Sequence, residues 1–158
     1  MGNCITVREK NINSLLTVNF EELPKCFCQN KDIEARVVDI YDGDTVTVIF
    51  FWGDEPIKIK IRLIGIDTPE IRKFKHSHDL EKIAAMVCRG YLNNLILGKI
   101  VKLRVKGWDK YGGRLLGSIE HEGKDISQLM IEEGLARKYE GKTKLIWTES
   151  ELIKIIKK

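Results

Sequence analysis

Three carboxylates, Asp44, Asp67 and Glu70, stand out by position. Asp44 closes the turn Asp42-Gly43-Asp44 and shares strand parity with Val46 and Val48, so it points to the apolar side of whatever sheet that strand joins. An ionised carboxylate there is costly unless a cation compensates it. Asp67 and Glu70 lie in Ile66-Asp67-Thr68-Pro69-Glu70, directly after a strand, where proline fixes a rigid turn. Two aspartates and a backbone carbonyl make a hard-oxygen cradle, suited to Ca²⁺ or Mg²⁺ and unsuited to zinc. Arg62 ends the strand that leads to Asp67, and Arg114 opens another after Asp109-Lys110-Tyr111-Gly112-Gly113. A guanidinium keeps its charge at any relevant pH and grips a phosphate through two parallel hydrogen bonds. Taken singly, each residue also reads as a turn aspartate or a solvated arginine. The combination carries the information.

Periodicity marks the elements that must position them. Residues 35–41 are rich in β-branched side chains and stop at the Asp42-Gly43 turn, as a strand should. Thr45-Val46-Thr47-Val48 alternates, and Phe50-Phe51-Trp52 then runs into Gly53-Asp54. From Ile57 to Arg62, three isoleucines alternate with Lys58, Lys60 and Arg62, predicting one apolar and one basic face. Leu80, Ala84, Val87, Tyr91 and Leu95 predict a helix over 77–97, closed by Gly98. Residues 101–106 form a further strand with a basic face, and 114–119 its partner. Asp125-x-x-Gln128 and Thr148-x-x-Glu151 read as capping boxes. The first opens a short helix stopped by Gly134, the second a final helix that runs to the basic C-terminus. Three strands, a helix, two strands and two helices describe a small α+β domain, mainly β, in the order of a five-stranded OB-type barrel.

At 158 residues, with 43% apolar and 32% charged side chains, the chain fits one globular unit and excludes disordered and collagenous classes. The net charge of +4 is unevenly placed. Residues 1–32 hold four basic and four acidic residues, so the surplus belongs to 33–158. We read 1–32 as a tether and 33–158 as the folded domain, whose surplus permits a polyanionic partner. The run Arg72-Lys73-Phe74-Lys75 would steer one electrostatically. Cys4, Cys26, Cys28 and Cys88 are too few and scattered for a disulfide scaffold. The C-x-C of Cys26 and Cys28 lacks a second ligand pair for zinc, so reduced thiols in the cytosol are expected. His76, His78 and His121 have no ligand spacing and receive no role.

No apolar run reaches a membrane-spanning length, and no basic-then-apolar leader is present. The expected location is therefore intracellular and cytoplasmic. Met1-Gly2-Asn3-Cys4-Ile5-Thr6 fits the M-G-x-x-x-[ST] acylation pattern, with Gly2 open to myristoylation and Cys4 beside it open to palmitoylation. One acyl chain binds a membrane only marginally, and a second makes attachment lasting. Residues 7–32 would then hold the domain off the cytoplasmic face as a spacer.

Four strings, taken in order, resemble the staphylococcal-nuclease (thermonuclease) family: Asp42-Gly43-Asp44-Thr45; Arg62-Leu63-Ile64-Gly65-Ile66-Asp67-Thr68-Pro69-Glu70; Asp109-Lys110-Tyr111-Gly112-Gly113-Arg114-Leu115; and Glu133-Gly134-Leu135-Ala136. The resemblance implies an OB-fold and a Ca²⁺-dependent endonuclease that cleaves DNA and RNA and leaves 3′-phosphate ends. It implies that Asp44 and Asp67 ligate calcium with the Thr68 carbonyl, and that Asp42 lies beside them. Arg62 and Arg114 would clamp the scissile phosphate, and Glu70 would position or deprotonate the attacking water. Lys110 and Tyr111 resemble contacts to substrate phosphate and sugar, and Tyr139 resembles a residue that stacks on a base. A monomer is expected. Two alternatives remain: a catalytically weak module of the same fold that binds nucleic acid or protein, and a generic single-strand-binding OB domain. The joint presence of Arg62, Asp67, Glu70 and Arg114 argues against the first. The second needs stacking aromatics, and those make up only 8% of the chain.

Overall fold

The computed structural model describes residues 23, 25–72, 79–141 and 143–158. Three long strands come first: β1 (Asp32–Ile40), β2 (Thr45–Trp52) and β3 (Glu55–Leu63). A two-residue β4 (Ile66–Asp67) precedes helix α1 (Glu81–Ile96), after which β5 (Ile100–Trp108) and β6 (Arg114–His121) complete the set of long strands. The C-terminal part holds β7 (Lys124–Asp125), α2 (Ile126–Glu132), β8 (Arg137–Lys138) and α3 (Glu149–Ile156). The long strands pair antiparallel in the order β3-β2-β1-β5-β6. A parallel pairing of β3 with β6 joins the two ends and removes the open edges that would invite aggregation. This is the expected five-stranded OB-type barrel.

Alternation in sequence becomes inside and outside. In β5, Val101, Leu103 and Val105 are buried while Lys102, Arg104 and Lys106 are exposed. In β3, Lys58 and Lys60 stay in water but Arg62 is buried, so the basic face ends inside the protein. In β2 the threonine face is covered as well, since Thr45 and Thr47 are both buried. Helix α1 ends as predicted, with Gly98 at φ +77° beyond Leu97, the left-handed closure that glycine favours. It begins at Glu81, not at 77; residues 73–78, which include Lys73, Phe74, Lys75, His76 and His78, lie outside the described residues.

Two caps differ in completeness. The Asp125 side chain accepts the Gln128 N–H at 2.8 Å, but the Gln128 amide turns to Glu132 Oε1 at 2.9 Å, so only half of that box forms. The Thr148–Glu151 box is complete. Helix α3 packs on α1 with Leu152 and Ile155 buried. Cys26 and Cys28, which fall in the segment read as a tether, belong to the core with their sulfurs 3.7 Å apart. Phe27 meets Trp52 edge-on at 5.0 Å, and the Asn30 N–H donates to the Val105 carbonyl at 2.8 Å. Residues 25–31 are thus fastened to the barrel.

Candidate active site

The β1–β2 turn supplies the first acid. Asp42 Oδ1 accepts the Asp44 N–H at 3.1 Å, which folds the turn back on itself. A Cβ on Gly43 would lie 2.8 Å from Cys88 Cβ and from the Thr68 side chain. Only glycine lets this turn approach α1 and the Asp67 turn so closely. The approach lets the Thr68 N–H reach Asp44 Oδ2 at 3.4 Å, joining two acidic turns far apart in sequence. Asp44 faces inward as its parity predicts, and it is only 3% exposed. Burial pushes its carboxyl up to about 7, against the pull of the Arg62 guanidinium. Burial also raises the Asp42 carboxyl.

The arginines are aimed by different means. Arg62 donates through Nη1 to the Leu63 carbonyl at 2.8 Å and through Nη2 to the Ile66 carbonyl at 3.0 Å. Its Nη1 also lies 3.0 Å from Asp44 Oδ2. Opposite Arg62 in the β2–β3 ladder stands Thr45, whose hydroxyl donates to Asp44 Oδ1 at 3.1 Å and accepts Arg114 Nη1 at 3.2 Å. One chain of contacts, Arg114–Thr45–Asp44–Arg62, therefore ties both guanidinium groups to one buried carboxylate. Arg114 is further gripped by Asp109 Oδ2, at 3.0 Å from Nε and 2.6 Å from Nη2. Burial works against the Asp109 charge, but the Arg114 hydrogen bonds outweigh it and hold this carboxyl below its usual range. Gly112 and Gly113 take φ +69° and +78°, so the turn before Arg114 is made by two left-handed residues in succession.

Three residues that sequence reasoning overlooked complete the site. Arg137 holds Asp67 Oδ2 through Nε at 3.2 Å and Nη2 at 3.0 Å. Lys144 Nζ lies 2.8 Å from Asp67 Oδ1 and 2.5 Å from Glu70 Oε1. Burial disfavours the Lys144 charge, yet these two carboxylates outweigh it and hold its pKa above the ordinary value. Glu81 Oε1 accepts the Glu70 N–H at 3.2 Å. Arg137 sits on a two-residue strand, Lys144 on irregular chain and Glu81 in a helical first turn, so none carries a periodic signal. The one available hint is that Arg137 follows the Glu133-Gly134-Leu135-Ala136 string.

Tyr41, Lys60, Lys110, Tyr111 and Tyr139 line the same open cleft as Arg62, Asp67, Glu70 and Arg114. Lys110 lies over the Tyr111 ring, 4.7 Å from its centroid, and Tyr111 is 80% exposed. The Tyr139 N–H donates to the Gly65 carbonyl at 2.9 Å. Gly2 and Cys4 lie outside the described residues.

Whether these donors fit a divalent cation turns on two buried oxygens. Thr68 Oγ1 is enclosed and takes part in no hydrogen bond, and Asp67 Oδ1 is enclosed with the Lys144 ammonium 2.8 Å away. Among the described residues no three His, Cys, Asp or Glu side chains group as a metal cage. The oxygens that the resemblance assigns to a cation, those of Asp44, Asp67 and Thr68, are all hard. They fit a hard cation such as Ca²⁺ or Mg²⁺.

A family model described as Staphylococcal nuclease homologue matches residues 60–157. The chain belongs to this family. The match takes in Arg62, Asp67, Glu70 and Arg114, while Asp42 and Asp44 lie before its start. This staphylococcal-nuclease homologue is 34% identical over 112 residues to an Escherichia coli O157:H7 protein named "Uncharacterized endonuclease", covering 69% of this chain and 63% of that one. A Haemophilus influenzae protein of the same name is 30% identical over 112 residues, with 71% and 56% covered. The "Staphylococcal-like nuclease CAN1" of Arabidopsis thaliana is 34% identical over 96 residues, 58% of this chain and 26% of that protein. The chain thus spans less than two-thirds of these relatives. No helix among the described residues is long and apolar enough to cross a membrane.

Proposed function

We propose that this chain is a calcium-dependent endonuclease that hydrolyses phosphodiester bonds of DNA and RNA and leaves 3′-phosphate ends. The observation that carries this reading is the Arg114–Thr45–Asp44–Arg62 chain, whose two arginines and Thr45 line one cleft with Asp67 and Glu70 while Asp44 is buried. A phosphodiester resists nucleophiles because it is an anion. Two guanidinium groups fixed in advance neutralise the charge that builds up on its oxygens, without reorganising during the reaction. Arg62 is the more rigid, tied to two carbonyls; Arg114 is the more exposed and meets substrate at the rim. Asp44, Asp67 and the Thr68 carbonyl would hold calcium, with Asp42 beside them, and the bound ion would add positive charge against the same phosphate. Glu70 positions or deprotonates the attacking water as the new P–O bond forms and the P–O5′ bond breaks, and the leaving 5′-oxygen takes up a proton from solvent to become a hydroxyl. Lys110 and Tyr111 contact phosphate and sugar, and Tyr139 stacks on a base. The protein acts as a monomer, held at the cytoplasmic face of a membrane by acyl groups on Gly2 and Cys4.

Plasmid cleavage with calcium and with chelator, followed by end-labelling of the products, tests this reading. Calcium-dependent cleavage with 3′-phosphate ends, abolished by Glu70→Ala, is expected. Tight binding without cleavage assigns the chain to the binding-module alternative. Myristate labelling that disappears in Gly2→Ala tests the membrane tether.

A further inference from the structure

Residues 143–147 line one wall of the cleft between β8 and α3, and little apolar packing holds them there. Leu145 and Ile146 are 73% and 65% exposed. The segment is anchored at its far end, where Trp147 is buried with the Arg137 guanidinium 4.0 Å above its ring. The Leu145 carbonyl also accepts Arg137 Nη2. At its near end, the contact that fixes it to the site is electrostatic: the Lys144 ammonium sits between Asp67 and Glu70.

These are the two carboxylates that the proposed function gives to the metal and to the general base. One ammonium engages both. It lies on the buried Asp67 Oδ1, while Arg137 takes Oδ2. We propose that Lys144 is a built-in competitor for the divalent cation, occupying the Asp67–Glu70 pair until the ion displaces it. The inference rests on the calcium reading above. A divalent ion and an ammonium on one carboxylate oxygen repel strongly at such short range, so binding one removes the other. Lysine suits the task better than arginine: its ammonium is a compact, strongly hydrated charge on a flexible stem, and it leaves without breaking a bidentate fork. Arg137, by contrast, grips Asp67 through two nitrogens and stays. Displacement also frees Glu70 from its ion pair, so ion binding and release of the base become one event. The ion's apparent affinity is lowered by the fraction of molecules in which Lys144 holds the pair.

Calorimetric titration of CaCl₂ into the full chain, Lys144→Met and Lys144→Arg tests this, with thermal unfolding of each in chelator and in saturating calcium. Lys144→Met is expected to bind calcium about tenfold more tightly than the parent, and Lys144→Arg within about threefold of it. In chelator Lys144→Met is expected to unfold at a lower temperature, because Asp67 and Glu70 lose a neutralising cation. In calcium the two proteins converge. Equal or weaker calcium affinity in Lys144→Met, with clear binding by the parent, overturns the competitor and leaves the calcium reading intact. Absence of calcium binding in every protein overturns both. Lys144→Gln, which keeps a polar contact and drops the charge, takes the place of Lys144→Met if the latter does not fold, and the same outcomes decide.

Discussion

Arg62 and Arg114 carry the same charge, yet the structure surrounds them differently. Arg62 is 8% exposed and compensates the buried Asp44 carboxylate. Arg62→Ala is therefore expected to lower turnover by about 10²-fold or more, as for loss of one preorganised donor. It should also cost about 3 kcal/mol of stability, because an unpaired buried charge remains. Arg114 is partly solvated, but the Asp109 carboxylate that it holds is only 9% exposed, so Arg114→Ala should cost a similar factor in turnover, about 10²-fold, with a smaller loss of stability than Arg62→Ala. Cleavage rates and urea denaturation of the two variants check this division. Asp44 makes a second prediction, about pH. Its folded pKa, about 7, lies above its ordinary value of 3.8, so the folded state binds more protons in that interval. The Asp44 contribution to stability in chelator then falls as pH rises from 3.8 towards 7, by at most about 1.4 kcal/mol per pH unit, and levels off above. Denaturant unfolding of the parent and Asp44→Asn tests the sign: the stability difference, parent minus variant, falls over that interval.

At the scale of elements, the site depends on turns that bring strand ends together. Gly43 is the tightest joint, with no room for a Cβ against Cys88 and Thr68. Gly43→Ala is expected to cost about 1–3 kcal/mol, as for overpacking elsewhere. It should also weaken calcium binding, because Asp44 moves away from Thr68; thermal unfolding and calorimetry check both. Helix α3 starts beside the wall that carries Lys144, so its complete capping box matters to the site as well as to the helix. Thr148→Ala should lower stability by about 1 kcal/mol, read by thermal unfolding. The elements themselves were plain in the sequence. The alternation of 57–62 and 101–106 and the Thr148 box became strands and a cap as predicted, because local pattern and tertiary burial agree there. The Asp125 box formed only in part, since Gln128 had a competing partner in Glu132.

For the whole molecule, the surplus charge matters by where it sits. Lys58, Lys60, Lys102 and Lys110 project into solvent, while Arg62, Arg137 and Lys144 are spent on buried carboxylates. A bound divalent ion would return charge to the cleft by displacing Lys144. Nucleic-acid affinity should consequently fall with rising salt, and Lys110→Ala should flatten the slope of log K against log salt by about 0.7–1. Fluorescence anisotropy of a labelled single strand in an inactive Glu70→Gln background measures that slope.

The sequence by itself determined the barrel, its family strings, the inward aim of Asp44 and the two arginines at strand ends. Each of these is written locally, as alternation, a turn or a short motif. Only the tertiary structure decided which cations meet those acids. Arg137 meets Asp67 across a two-residue pairing of β8 with β4, Lys144 reaches Asp67 and Glu70 from irregular chain, and Glu81 caps Glu70 from a helix. Such pairings join residues as many as 74 positions apart. Charge acts through space, and space is set by how the chain closes, so no spacing along the sequence encodes them.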